Sequence, residues 1–309
     1  MSNKNRYRKI ALNKLRDTYS RFPFPGVSRP VFIVGCGRSG TTIFGTVLSQ
    51  HDKVAYLNEP RRLWFSAYPE TDIWTPAAEA RQGRLAFVAE DAERKKSLKL
   101  SRSFRFETLK RRKPVLIEKL PINNFRLDFI YHIFPDARFI HLYRNGLEVA
   151  RSIEKYSREG RWFGTDAYKW NQLVGYAADR PDVQSLPELC RNNFEKGLLE
   201  WRLSSEAVVH FLKKIPRESC FELSYAQLVE QPENTMSKVL DFIGLSDQER
   251  VLNFAVNNLS RKTTPLKQQA LSKMEKILGG QLLPLSLDSE KSLMEHLDQG
   301  SDVGVSRSR

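Results

Sequence analysis

The amino-acid sequence predicts an α/β fold, in which a central parallel sheet is flanked by helices in three layers. Two observations support this class. Short apolar runs alternate with segments of helical periodicity, and parallel strands joined by helical crossovers produce such an alternation. The chain of 309 residues is also long enough for one large α/β domain with a buried core, although its length allows two domains.

Five apolar runs are predicted to form the strands of this sheet. They are VFIVG at 31–35, VAYLN at 54–58, PVLIEK at 114–119, RFIHLYR at 138–144 and SCFELS at 219–224. Helical patterns follow the first, third and fourth runs in TIFGTVLSQ, NFRLDFIYHIF and GLEVARSIEKY. A long helix is predicted over about 193–214, and a further helix passes through PENTMSKVLDFIGL.

The same pattern divides the chain into segments. A basic N-terminal segment covers 1–30, and the predicted α/β domain covers 31–298. Within this domain 60–113 is basic and less regular, which indicates an insertion after the second strand, and insertions on an α/β scaffold often determine which substrate binds. The tail at 299–309 is predicted to be disordered.

The N-terminal segment has Leu12, Leu15 and Tyr19 at helical spacing, in a stretch of 30 residues with eight Lys or Arg and one Asp. The favoured interpretation is a helix that packs a few apolar residues on the domain. An amphipathic helix on anionic lipid is the alternative.

Composition limits the partners and the compartment. The 50 Lys and Arg against 36 Asp and Glu give a net charge of +14, which favours an anionic partner: nucleic acid, a membrane surface, or a phosphorylated or sulfated ligand. The three cysteines are too few for a disulfide framework, although a bridge between Cys190 and Cys220 is left open. Without an apolar run of about 20 residues or a signal core, the expected location is the cytoplasm, and the oligomeric state is open.

A glycine-rich loop follows the first strand. In GCGRSGTT at 35–42, Gly35 and Gly40 have the spacing of the GxxxxGK nucleotide loop, but Thr41 replaces its lysine. Backbone N–H groups of such a turn, together with the helix N-terminus, favour an anion. Since no strand ends in a magnesium-binding Asp, magnesium triphosphate fits poorly, and a plain turn is the alternative.

Side chains of the loop add further donors to an anion. Arg38 offers a bidentate guanidinium, which matches the geometry of a phosphate or sulfate. Ser39, Thr41 and Thr42 add three hydroxyls.

Two motifs together resemble the sulfotransferases that use 3′-phosphoadenosine-5′-phosphosulfate (PAPS). GRSGTT, from Gly37 to Thr42, is similar to the family's 5′-phosphosulfate loop. The resemblance implies the P-loop-like fold of that family for the domain. LYRNGLEVARS is similar to its second signature, an Arg at a strand end and a Ser eight residues later that hold the 3′-phosphate. Here these residues are Arg144 and Ser152.

Two more positions resemble the glutamate-dependent branch, which includes the tyrosylprotein sulfotransferases. Glu59 in YLNEPRR and Lys119 in IEKLPI match its carboxylate and its lysine, whereas the cytosolic enzymes carry a histidine near the latter position. The resemblance implies that Glu59 is the general base and that Lys119 and Arg38 neutralise the reacting oxygens. The alternatives are an ion pair of Glu59 with a neighbouring arginine, and for Lys119 a salt bridge to Glu118 or a plain lysine at the strand end.

The remaining matches are weaker and end near residue 279. ELSYAQL resembles the family's stretch with a Tyr near the adenine, here Tyr225. SRKTTPLKQQALSK resembles its loop that closes over the nucleotide, here with Arg261 and Lys262. The segment 160–192 resembles no pattern of the family. The aromatic residues around Trp162 and Trp170 there are interpreted as core packing, with an acceptor pocket as the alternative.

The resemblance implies transfer of a sulfuryl group from PAPS to a hydroxyl acceptor, with 3′,5′-adenosine diphosphate (PAP) as product and without a metal. A glycan, a glycolipid or a small metabolite is favoured as acceptor, a peptide tyrosine is not excluded, and the positive charge favours an anionic or membrane-associated one. A P-loop kinase or NTPase is the main alternative. A nucleic-acid-binding protein is less favoured, because it would leave the loop unexplained.

Overall fold

The computed structural model of the protein describes residues 3–158, 162–163, 166–259 and residue 277. Its centre is a parallel sheet of five strands in the order β2-β3-β1-β4-β5. The strands are β1 (Val31–Val34), β2 (Val54–Asn58), β3 (Val115–Lys119), β4 (Arg138–Tyr143) and β5 (Cys220–Ser224). The predicted fold class is therefore confirmed, and each strand overlaps its predicted run.

Helices cover both faces of the sheet. In chain order they are α1 (Asn3–Arg21), α2 (Thr41–Leu48), α3 (Arg61–Ala67), α4 (Arg94–Arg111), α5 (Leu127–Ile133), α6 (Gly146–Ser157), α7 (Tyr168–Ala178), α8 (Asn193–Leu212), α9 (Tyr225–Glu230), α10 (Pro232–Ile243) and α11 (Glu249–Asn258). Short 3₁₀ turns cover Pro69–Thr71, Ala89–Asp91, Pro121–Phe125, Pro187–Leu189 and Arg217–Ser219.

The core lies in two layers because alternate residues of each strand point to opposite faces. On β1, Phe32 and Val34 join the cluster packed by α4, α5, α6 and α8, while Val31 and Ile33 join the cluster packed by α2, α10 and α11. All four of these residues are buried, which explains why the strand is a continuous apolar run.

The segment 60–113 is more regular than expected. It contains α3 and the 18-residue helix α4, and both pack into the core. Leu100 and Phe104 of α4 are fully buried, and Phe104 meets the ring of Trp64 edge to face at a centroid distance of 5.7 Å. Part of the predicted insertion is thus a structural layer of the domain.

The N-terminal segment forms α1, which packs on α4 as favoured. Tyr19 stacks on Phe24 at 4.7 Å between ring centroids and lies 5.6 Å from Phe106. Leu15, expected on the packing side, is instead 58% exposed.

Two further findings concern expectations from composition. Cys36, Cys190 and Cys220 are buried and form no disulfide, so the bridge that was left open is absent. No helix in the described ranges has the length and apolarity needed to cross a membrane. The tail at 299–309 lies outside the described residues.

Candidate active site

The glycine-rich loop connects β1 to α2 at the carboxyl end of the sheet. Gly35 and Gly40 have positive φ angles of 139° and 100°. A Cβ at Gly35 would lie 2.1 Å from the carbonyl oxygen of Leu142 on β4, and one at Gly40 would lie 2.5 Å from the ring of Tyr225. Glycine is therefore required at both positions, which lets the loop pass close to its neighbours.

The loop carries polar groups suited to an anion. The Ser39 hydroxyl is buried and has no hydrogen-bond partner among the described residues. Gly40 precedes α2 and provides no side-chain cap, so the first N–H groups of α2 are not capped by that residue. Arg38 has a φ of 74°, a conformation uncommon outside glycine that is often found at ligand sites.

A cleft of about 870 Å³ opens beside the loop. The structure brings many of the predicted residues into its wall, and α6 contributes others that the motifs did not indicate. The wall consists of Arg38, Gly40, Thr41, Thr42, Ile43, Thr46, Arg144, Glu148, Arg151, Ser152, Glu154, Lys155, Tyr156, Arg158 and Tyr225. Gly37 and Ser39 belong to the loop but do not line this cleft.

The glycine-rich loop and α6 contact each other across the cleft. Arg38 Nε donates a hydrogen bond of 3.0 Å to Ser152 Oγ on α6. Arg144 follows β4, donates from Nε to Glu148 at 2.8 Å, and places its guanidinium 4.3 Å from the ring centroid of Tyr225. Residues that lie far apart in the sequence thus surround one space with three cationic or hydroxyl donors and an aromatic ring.

A second group joins the loop to the ends of β2 and β3. Lys119 Nζ donates to Thr42 Oγ1 and to Glu59 Oε1, both at 2.9 Å. The backbone N–H of Glu59 also donates to the carbonyl oxygen of Lys119 at 2.7 Å, which fixes the two strand ends together. Glu59 itself has a φ of 48°, a conformation that few residues other than glycine adopt.

Electrostatic effects at Glu59 oppose one another. Burial would raise the pKa of its carboxyl, but the ammonium of Lys119 and the guanidinium of Arg61, which lies 2.7 Å from Oε2, hold the pKa below its usual value. The two cations therefore outweigh burial, and the net change in the pKa of Glu59 is downward. The alternative ion pair with a neighbouring arginine is present, alongside the contact with Lys119.

Lys119 has a different neighbour from the one its position in the sequence suggested. Its side chain is 1% exposed, and burial lowers the pKa of the ammonium, although Glu59 partly opposes this. The ion pair described for Lys119 is with Glu59 rather than with Glu118. Glu118 accepts from Trp64 Nε1 at 2.9 Å and from Asn123 Nδ2 at 3.2 Å.

The charged residues of α6 were missed by the sequence analysis. Glu148, Arg151 and Lys155 line the cleft and follow Arg144 by four, seven and eleven residues. These intervals place side chains on one face of a helix, so the helical period counted from Arg144 could have found them.

A buried polar cluster supports the loop from the other side. Trp162 Nε1 donates to Glu200 Oε2, and Lys169 Nζ donates to Glu200 Oε1, each at 2.6 Å. Lys169 Nζ also lies 4.0 Å from the centroid of the Trp162 ring system. A Cβ at Gly37 would meet that ring at 2.4 Å, so Trp162 contacts the loop as well as packing on the core.

Some predictions cannot be placed in this site. Arg261 and Lys262 lie outside the described residues. Within the ranges that the structure describes, no group of three His, Cys, Asp or Glu residues could hold a metal ion.

The parallel sheet and the lysine-free anion loop define an α/β protein of the P-loop-like class. Within this class, a model of the sulfotransferase family matches residues 30–249, most of the chain. The chain belongs to the sulfotransferase family.

Individual relatives are distant. The chain is 28% identical over 246 residues to an uncharacterized protein of Aquifex aeolicus, covering 78% of this chain and 28% of that protein. It is 22% identical over 271 residues to protein-tyrosine sulfotransferase A of Caenorhabditis elegans, covering 84% of this chain and 59% of that protein. The chain therefore spans only part of these relatives.

A solved structure agrees with the fold. A sulfotransferase from Mycobacterium avium superposes with a TM-score of 0.50 and 15% identity, covering 94% of this chain and 82% of that one.

Proposed function

We propose that the protein transfers the sulfuryl group of PAPS to a hydroxyl acceptor and releases PAP. The observation that carries this proposal is the Lys119 ammonium, which lies 2.9 Å from both the Thr42 hydroxyl of the loop and the Glu59 carboxylate. A cation that joins an anion-binding loop to a potential base suits the transfer of an anionic group to an alcohol. Family membership supports the same reaction class.

The donor is proposed to lie along the cleft. Arg38, the loop N–H groups and the hydroxyls of Ser39, Thr41 and Thr42 would hold the 5′-phosphosulfate, and the unpartnered Ser39 hydroxyl supports this fit. Arg144 and Ser152 would hold the 3′-phosphate, and Tyr225 would contact the adenine. A cleft of about 870 Å³ is large enough for a nucleotide. Arg261 and Lys262 remain proposed ligands.

The residues then have distinct tasks. PAPS supplies the sulfuryl group. Its 5′-phosphate is the leaving group and remains in PAP. Glu59 takes the proton of the acceptor hydroxyl while the acceptor oxygen bonds to sulfur and the bond from sulfur to the phosphate oxygen breaks. Lys119 and Arg38 stabilise the negative charge that develops on that phosphate oxygen. Glu59, whose pKa lies below the already acidic value of an ordinary glutamate, is ionised at neutral pH and can accept the proton.

The acceptor is proposed to be an alcohol rather than an amine, because a carboxylate base beside the donor suits the removal of a hydroxyl proton. A glycan, a glycolipid or a small metabolite is favoured, with a peptide tyrosine as the alternative suggested by the name of the Caenorhabditis relative. The net charge of +14 supports an anionic or membrane-associated acceptor.

A calorimetric titration tests the donor assignment. Wild type, Arg144→Ala and Arg250→Ala are each titrated with PAP and with ATP plus magnesium. Arg250 is the matched control because it is an arginine on α11 that pairs with Asp52 away from the cleft. We expect tight binding of PAP that is lost in Arg144→Ala and kept in Arg250→Ala.

The opposite result identifies a different enzyme. Preference for magnesium ATP, unaffected by Arg144→Ala, would assign the loop to a kinase or NTPase and reject the PAPS proposal. Steep salt-dependent binding of DNA or RNA without selectivity for PAP would instead indicate a nucleic-acid-binding protein.

A further inference from the structure

The apolar residues of α1 are divided between its two sides, unlike those of a helix that only packs on a domain. Its side towards α4 buries Arg16 and Ser20, which are 4% and 2% exposed. Its outer side instead presents Tyr7 and Leu15, which are 71% and 58% exposed. A surface helix normally turns its larger apolar residues towards the core, so the outer side of α1 requires another explanation.

The outer side combines exposed apolar side chains with cations on the same face of the helix. Tyr7, Ile10 and Leu15, together with Phe22 just after the helix, form what we call the α1 face, and each is at least 44% exposed. The exposed cations around it are Arg6, Arg8, Lys14 and Arg21. Asp17 is the single acidic residue of α1, and it pairs with the inward-facing Arg16.

The inner side holds α1 on the domain and leaves the α1 face outward. Tyr19 contacts Phe24 and Phe106, and Arg102 Nε donates to the carbonyl oxygen of Phe24 at 2.8 Å. These contacts involve side chains that are not part of the α1 face. The face can therefore meet a partner without detachment of the helix.

We propose that the α1 face docks the protein on an anionic lipid surface. The cations match anionic headgroups, and the long stems of Lys and Arg keep their charges in water while the apolar side chains of the face enter the interface. Tyr and Phe suit this depth because their rings are apolar, and Tyr adds a polar tip.

Vesicle sedimentation of the full chain tests this proposal. The probes are vesicles of phosphatidylcholine alone and vesicles with about a third phosphatidylglycerol. We expect binding to the anionic vesicles only, weakened by salt. The double variant Tyr7→Ser/Leu15→Ser should lower the partition coefficient about tenfold or more. Lys14→Ser and Arg21→Ser should each lower it about fivefold.

The control is Val256→Ser, which removes an apolar side chain of similar exposure, 51%, from α11. It should bind vesicles as the wild type does, and thermal unfolding of each variant checks that the fold is kept. The proposal is overturned if wild type ignores anionic vesicles, or if Tyr7→Ser/Leu15→Ser binds them as well as wild type. It is also overturned if wild type is a dimer that this double variant dissociates, because a second copy would then cover the face.

Discussion

Glu59 has several properties expected of a proposed base at the residue scale. It adopts a φ of 48°, its backbone is tied to β3, and its two carboxylate oxygens face separate cations. The Lys119 side chain is buried. Arg61, in contrast, is 41% exposed and lies 4.3 Å from the centroid of the Trp74 ring system. A bound acceptor could therefore replace Arg61 more easily than Lys119.

We expect Glu59→Gln to lower kcat about a hundredfold to ten-thousandfold, because an amide cannot take the acceptor's proton. The measurement is transfer of labelled sulfate from PAPS to a hydroxyl acceptor found by screening. PAP affinity should stay unchanged, with Glu249→Gln on α11 as the control. For wild type, the apparent pKa of the acid limb of kcat/KM should lie below the usual pKa range of a glutamate, because the pKa of Glu59 is lowered. Full activity of Glu59→Gln would remove the carboxylate from the mechanism.

Glu118 makes stability depend on pH. Burial raises the pKa of its carboxyl to about 8, although Trp64 and Lys119 lower it in part. Between the ordinary glutamate pKa of about 4.3 and about 8, the unfolded chain releases a proton that the folded protein keeps. The free energy of unfolding should therefore fall as pH rises through this window, by at most about 5 kcal/mol.

Glu118→Gln should remove this dependence, since an amide does not titrate. The site can accept it: Asn123 Oδ1 is buried without a partner among the described residues, so reorientation of that amide would give the new N–H groups an acceptor. Urea unfolding of wild type and of Glu118→Gln between pH 5 and 8 measures how the free energy of unfolding of each depends on pH. Parallel pH profiles would mean that Glu118 does not control the slope.

Sequence patterns found the residues that lie close together in the chain and missed the pairings between strands. Arg144 and Ser152, eight residues apart, were indicated as one site by the resemblance of LYRNGLEVARS to the family's second signature. The partner of Lys119 depends on the pairing of β2 with β3, in which Asn58 aligns with Lys119 and brings Glu59 beside it. Its sequence neighbour Glu118 points to the opposite face, as alternation along a strand requires.

At the scale of elements, the loop is confined by Trp162. Gly37→Ala would place a Cβ 2.4 Å from the indole ring, so the loop or the ring must shift. We expect weaker PAP binding and lower stability. In a Trp162→Ala background, Gly37→Ala should cause almost no further loss of stability or PAP affinity. A double-mutant cycle measures this coupling. Gly175→Ala in α7 is the control, because its Cβ meets nothing within 4 Å. Equal costs of Gly37→Ala in both backgrounds would rule out the contact.

The α7 and α8 helices are joined by a buried ion pair. Lys169 and Glu200 side chains are 7% and 5% exposed and lie 2.6 Å apart. Lys169→Met would leave a buried carboxylate that keeps only the hydrogen bond from Trp162, so we expect a loss of about 3 kcal/mol in the free energy of unfolding.

The control for Lys169→Met is Lys214→Met, which breaks a pair with Asp128 whose side chains are both 45% exposed. Such a pair contributes about 0 to 1 kcal/mol, so urea unfolding should separate the two variants clearly. Similar losses for both would show that burial does not set the strength of the first pair.

Element boundaries were predictable where the apolar period was clear. The strand β1 is an uninterrupted apolar run, and α8 was predicted within a few residues of its observed end. The helix α4 was missed because its 18 residues contain basic side chains on several sides and its buried face depends on Leu100 and Phe104, four residues apart. The outward position of Leu15 on α1 could not be predicted, since it depends on which side of the helix meets α4.

For the whole molecule, the alternation of runs and helices was sufficient to predict the parallel sheet but not the order of its strands. Crossover connections fix the direction of each strand, whereas the order β2-β3-β1-β4-β5 depends on packing between distant segments. That order places β1 between β3 and β4. The loop after β1 therefore lies between Lys119 on one side and Arg144 on the other.

This placement couples the proposed donor site to global stability. Its ligands come from the ends of β1 and β4 and from α6 and α9, and the core layers on both faces share these strands. PAP should therefore raise the temperature of one cooperative transition. At a concentration about a hundredfold above Kd it adds about 2.7 kcal/mol, which corresponds to roughly 5 °C for a domain of this size. Differential scanning calorimetry of wild type and Arg144→Ala at the same PAP concentration measures this. A shift of the same size in both would separate Arg144 from the nucleotide, and two resolved transitions would show that the cleft and the rest of the sheet unfold separately.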